Sequence, residues 1–173
     1  MHYGRAMSEP RLPFDPIDRA GDLWEEHFGD ATAMRLATSV MRVQQLMIGA
    51  LDAALKPFGL TFSRYEVLVL LHFSRSGSLP LSKIGERLMV HPTSVTSAID
   101  RLEAQGFVER VPDEADRRRT LARLTPSGRS TVKKATEAVS AIDFAITGLT
   151  DRQQADTYAL LRRVRRSSGD FPE

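Results

Sequence analysis

The 173-residue chain contains no cysteine. That excludes disulfides, thiolate zinc sites and cysteine redox switches, and a cytoplasmic protein is expected. No apolar run approaches the roughly 20 residues of a membrane helix, and residues 1–16 lack the apolar stretch of a secretory signal, so no membrane partner is expected. The four histidines are scattered, with no i, i+4 pair, so no metal site is expected. A phosphate-cradling glycine loop, an internal repeat and a nucleophile–base pair are also missing. Neither a cofactor nor catalysis is expected. Net charge is only +2, which rules out a polycationic chain, yet a pI near 9.2 leaves room for a local basic patch.

What is present is ordinary for a globular protein: 42% apolar and 27% charged residues. The length suits one compact domain or two lobes sharing a core. Residues 1–16 hold three prolines and little periodicity, and read as a flexible tail. Ile17, Ala20, Trp24 and Phe28 share one face of a short helix over 17–29. A longer helix spans 32–57, with Leu36, Val40, Val43, Met47 and Leu51 at helical spacing. Pro57 and Gly59 break it. Thr61 or Ser63 caps a third, nearly all-apolar helix, and the Ser63–Glu66 spacing suits a capping box.

A loop is expected over 75–80, then a short helix over 81–88. A second short helix starts after His91, with Pro92 at its first position. Val95, Ala98, Ile99 and Leu102 are its buried stripe, and Gly106 ends it. The period then changes to two. "FVERV" and "TLARL" alternate around the turn "PDEADRR", which predicts a β-hairpin. Thr125-Pro126 starts a helix to about 146, and Thr150 with Gln153 caps a last one to about 167. The expected fold is mainly α with a small β-hairpin wing, a winged helix-turn-helix. Its expected parts are the tail 1–16, N-terminal helices 17–60, the reading domain 61–125 and C-terminal helices 126–173.

The second helix of the short pair has an unusual outer face: Thr93, Ser94, Thr96, Ser97, Asp100 and Arg101. Short hydroxyls let a helix backbone approach base edges, where long Lys and Glu side chains would hold it away. At the hairpin tip, "DRRRTLARL" puts Arg117, Arg118 and Arg119 where they can reach a minor groove, with Asp116 able to hold a guanidinium. The candidate DNA-contacting residues are Lys83, Pro92, Thr93, Ser94, Thr96, Ser97, Arg101, Asp116, Arg117, Arg118 and Arg119.

"DEADRRRTLARLTPSGR" resembles the wing signature of the MarR family at Asp116, Arg118, Leu124, Thr125 and Gly128. "TSVTSAIDRLEAQGFVER" looks like that family's recognition helix, and "LTFSRYEVLVLL" like the helix before the reading pair. The resemblance covers roughly residues 33–167 and implies a homodimer joined through N- and C-terminal helices. It implies a sequence-specific transcriptional regulator, a repressor, bound to a pseudo-palindromic duplex and released by a small organic anion or aromatic ligand. The alternative is a winged helix that docks proteins without DNA, which the Ser, Thr and Arg of the reading face and wing disfavour.

The extra helix with Trp24 resembles the branch that includes urate- and trans-aconitate-responsive regulators. In the urate-responsive members a Trp, an acid and an Arg line a ligand pocket. The matching positions here are Trp24, Glu66 and Arg110, with Glu where that branch has Asp and Ala98 where it has a second Arg.

Overall fold

The computed structural model describes residues 12–114, 116 and 119–172. The order is α1 (Pro16–Phe28), α2 (Thr32–Leu55), α3 (Phe62–Phe73), β1 (Ser78–Pro80), α4 (Leu81–Leu88), α5 (Pro92–Ala104), β2 (Val108–Pro112), β3 (Thr120–Leu124), α6 (Pro126–Ala141) and α7 (Asp151–Ser167). Short 3-10 turns follow α2 and α6. No helix of the described residues is long and apolar enough to cross a membrane. The chain divides into two compact units, with the break inside α2 between Ile48 and Gly49.

In the first unit Asp15 caps α1 by accepting from the Ile17 N–H at 2.8 Å, and Pro16 opens the helix. The expected tail therefore ends one residue early; residues 1–11 lie outside the described residues. Arg35 of α2 crosses α1 and donates to Asp22 at 2.8 Å, with Asp18 and Glu25 beside it. Gly21 leaves room for that guanidinium, because a Cβ there would stand 2.1 Å from Arg35 Cζ.

The second unit is built on α3. Its Val67, Leu68 and Leu71 are buried with Leu51 and Leu55 of α2, Ile84 of α4, Ile99 and Leu102 of α5, and Val132 and Val139 of α6. β2 and β3 form the expected hairpin, in register from Val108 opposite Leu124 to Pro112 opposite Thr120. The expected loop at 75–80 contains a third strand instead. Ser78, Leu79 and Pro80 pair antiparallel with Arg123, Ala122 and Leu121, so the sheet order is β1-β3-β2. Three residues cannot display an alternation; only the distant partner makes them a strand.

Two further expectations are corrected. The start of α3 has no Ser63–Glu66 capping box. Thr61 is the N-cap and its side chain makes no capping bond; Asp52 of α2 accepts the Phe62 N–H at 2.6 Å instead. α6 stops at Ala141 rather than near 146, because Asp143, Phe144 and Ala145 turn left-handed, with φ of 48°, 50° and 61°. Three non-glycine residues in that region cost roughly 1–2 kcal/mol each. The turn carries the Phe144 ring to a pocket formed with α3 and α6.

Candidate nucleic-acid interface

α4 and α5 form the helix-turn-helix. Gly85 sits where they pack: a Cβ there would lie 3.1 Å from the Val90 carbonyl and 3.3 Å from Val95 Cγ2. Met89 closes α4 in the left-handed conformation at φ 55°. His91 is the N-cap of α5, its Nδ1 accepting the Thr93 N–H at 3.3 Å, and Pro92 occupies the first turn. Val95, Ile99 and Leu102 face inward. Thr93, Ser94, Thr96, Ser97 and Arg101 face outward and are exposed. The Thr96 hydroxyl donates to the Pro92 carbonyl at 3.1 Å. The Ala98 side of α5 turns toward the first residues of α3, leaving a notch lined by Ser94, Ser97, Arg101 and Arg64.

Lys83 of α4 pairs with Glu86 at 2.6 Å, and that hydrogen bond holds the Glu86 carboxyl below the usual carboxylate range. At the wing, the Asp113 N–H donates to the Arg119 carbonyl at 3.1 Å and the Arg119 N–H to the Asp116 carbonyl at 2.8 Å, closing the tip. Arg119 Nε is 3.8 Å from Asp113 Oδ2. Arg117 and Arg118 lie outside the described residues.

The three expected ligand residues have separate settings. Trp24 is part-exposed in the first unit, its ring 5.0 Å from that of Phe28. Glu66 lies in an apolar cavity of about 660 Å³ between α3 and α6, among Tyr65, Phe73, Val132, Lys133 and Phe144. Burial raises its carboxyl above the usual range. Tyr65 and Thr136 hydroxyls, 3.1 Å apart, bridge the cavity wall, and His72 Nδ1 on the same lining is buried without a partner. Arg110 does not line this cavity. Its guanidinium donates to Asp100 and to Glu103 of α5, and its backbone N–H to Glu103 at 3.1 Å. The bond to Asp100 chiefly keeps Arg110 above its ordinary value, so it stays charged as a strut between β2 and α5. Arg64 escaped the sequence reading; the signal was a basic residue in a hydroxyl-rich first turn, "TFSR".

The family model for "MarR family" matches residues 60–120, the span from α3 to the start of β3. The crystal structure of Sco5413, a MarR family transcriptional regulator from Streptomyces coelicolor, superposes with a TM-score of 0.76 at 50% identity, covering 82% of this chain and 98% of that one. The chain belongs to the MarR family. MarR proteins are DNA-binding transcriptional regulators, and two further solved relatives show what members hold. A mutant MarR from E. coli complexed with operator DNA matches at TM-score 0.70 and 25% identity, over 83% of this chain and 98% of that one. CouR from Rhodococcus jostii RHA1, bound to p-coumaroyl-CoA, matches at 0.65 and 28%, over 80% and 93%.

Proposed function

We propose that this MarR protein is a homodimeric, cytoplasmic repressor that reads a pseudo-palindromic operator with α5 and the wing, and that a small organic ligand in the Glu66 cavity releases it. The observation that carries the reading is the outer face of α5. Five exposed residues, four hydroxyls and Arg101, stand over a stripe anchored by Val95, Ile99 and Leu102. Hydroxyls and a guanidinium are the groups that donate to phosphates and base edges. Lys83, Pro92, Asp116 and Arg119 are proposed to extend the contact, and Arg117 and Arg118, outside the described residues, join them as candidates from the sequence.

Homodimerisation is supported by α7. Its 17 residues include no buried one, although Tyr158, Leu160, Leu161 and Val164 are apolar and exposed. A helix gains most of its stability from packing an apolar face, so this face calls for a second surface. Leu36, Val40 and Val43 of α2 are exposed in the same way. Two copies place two α5 helices on half-sites about 10 bp apart.

The ligand reading rests on the Glu66 cavity, whose volume suits a small molecule and whose aromatic walls suit a flat one. CouR in its complex with p-coumaroyl-CoA is a relative holding an aromatic acyl group. Helix α1 supports placement in the branch with an added N-terminal helix, the urate- or trans-aconitate-responsive type. Trp24 and Arg110 are ligand candidates through that likeness alone; neither lines the Glu66 cavity. A ligand with higher affinity for one spacing of the reading helices shifts the population toward it.

The test is a gel shift on duplexes selected from a random pool, with light scattering of the free protein. A dimer that binds a two-fold site, and is released by an aromatic acid in parallel with quenching of Trp24, is the expected result. A stable monomer at micromolar concentration refutes the dimer, and a panel of aromatic and small acids that leaves binding and fluorescence unchanged refutes the ligand reading.

A further inference from the structure

The polar surface of α5 continues across the notch of about 320 Å³ onto the start of α3. On one wall stand Ser94, Ser97 and Arg101; on the other Thr61, Ser63 and Arg64. Arg64 is half-buried and held at two points. Its Nε donates to Thr61 Oγ1 at 3.2 Å and its Nη1 to Gln105 Oε1 at 3.3 Å. Gln105 is itself fixed, its Nε2 donating to the Gly59 carbonyl at 2.9 Å. Gly59 permits that approach: a Cβ there would stand 2.8 Å from Gln105 Nε2, and its φ is +69°.

The charge balance of the notch is the deciding observation. Arg110, Arg119 and Arg123 each face a carboxylate. Among the described residues neither Arg64 nor Arg101 makes an ion pair, and no carboxylate lines the notch they share. Two uncompensated guanidiniums surrounded by hydroxyl donors form a site for an oxyanion. Because the notch uses Ser94, Ser97 and Arg101 of the reading face, the oxyanion in reach is a backbone phosphate beside the groove that α5 enters. Arg64 stands on α3 rather than α5 and has two of its donor groups engaged, which suits it to a phosphate oxygen rather than a base edge.

We infer that Arg64, oriented by Gln105, clamps a DNA backbone phosphate in this notch together with Arg101 and so sets the register at which α5 enters the major groove. The inference rests on the DNA reading above. Operator affinity is measured as a function of salt for the full chain, on a selected two-fold duplex and on a shuffled duplex of equal length. Arg64→Ala should weaken both by a similar factor, on the order of 10-fold, with an unchanged selected sequence. The slope of log affinity against log salt should fall by about 0.9 for each phosphate that is no longer neutralised, one per protomer. Gln105→Glu, which puts a carboxylate beside the phosphate and pairs Arg64, should weaken both duplexes comparably; because it also gives up the bond to the Gly59 carbonyl, binding is read at a temperature where circular dichroism shows the variant folded. Arg64→Ala with wild-type affinity and salt slope overturns the inference and leaves the DNA reading standing. Weakening confined to the selected duplex also overturns it, since that marks base reading. A wild-type chain that binds neither duplex overturns both readings.

Discussion

Gly128→Ala tests how the wing is fastened to the rest of the reading unit. Gly128 is the third residue of α6, and its N–H donates to Thr125 Oγ1 at 3.0 Å, completing the helix cap. A Cβ added there would lie 2.1 Å from the Phe107 carbonyl oxygen and 2.9 Å from Leu124 Cδ1. The obstacle is backbone and is tied on both sides. The Phe107 N–H donates to Leu102 at 2.9 Å, and its carbonyl accepts the Thr125 N–H at 3.1 Å. Thr125 Oγ1 also donates to the Gly106 carbonyl at 2.7 Å. Relief therefore requires α6 to move off the root of the hairpin. Overpacking of this kind costs about 1–3 kcal/mol, and disturbing the Thr125 cap about 1 more. The gain of Ala over Gly in a helix returns about 1. The net expectation is a loss of about 1–3 kcal/mol, or roughly 2–12 °C in Tm for a chain of this size. Urea denaturation at fixed protein concentration, followed by far-UV circular dichroism, reads it as a lower midpoint at unchanged slope. An alanine variant as stable as wild type would refute the claim that α6 and the wing root are locked together here.

Glu66→Gln addresses the half-buried carboxyl of the cavity. With its folded-state value raised, the carboxyl holds its proton more tightly folded than unfolded. That stabilisation is complete below the unfolded value of about 4.3 and lost as pH rises through the folded value. The Gln variant should lack this pH-dependent loss and be at least as stable as wild type at neutral pH; parallel stability–pH curves for the two proteins would contradict it. Leu161→Asp places a charge on the exposed apolar face of α7 and should shift the proposed dimer toward monomer by at least 10-fold in Kd, on the scale of one apolar side chain removed from the proposed interface plus a desolvated carboxylate. An unchanged mass distribution by light scattering across a dilution series would remove α7 from the interface. Thr96→Ala, on the exposed face of α5 and outside the notch, should alter the sequence preference in a random-pool selection more than the total affinity; identical selected sites would assign that hydroxyl to phosphate or water.

Most local structure was legible in the sequence because its causes are local. Pro92 and Pro126 mark first turns, Thr150 and Gln153 form the expected capping box, and the change of period after Gly106 marks the hairpin. The hydroxyl face of α5 was legible too, since a helix with Val95, Ile99 and Leu102 inward must turn Thr93, Thr96 and Ser97 outward. The resemblance to the MarR family was carried by the same short-range signals. What sequence could not supply depends on partners far apart along the chain. Ser78–Pro80 is a strand only because β3 lies beside it. Asp52 replaces a local cap at α3 from ten residues away. Arg110 reads as a free cation until Asp100 and Glu103 are seen to hold it. Arg64 and Arg101 share a notch only because α3 and α5 pack together. Turn chemistry and periodicity act over a few residues and leave marks in sequence; ion pairing and cavity shape depend on which distant side chains packing brings within a few ångströms, and no short window records that.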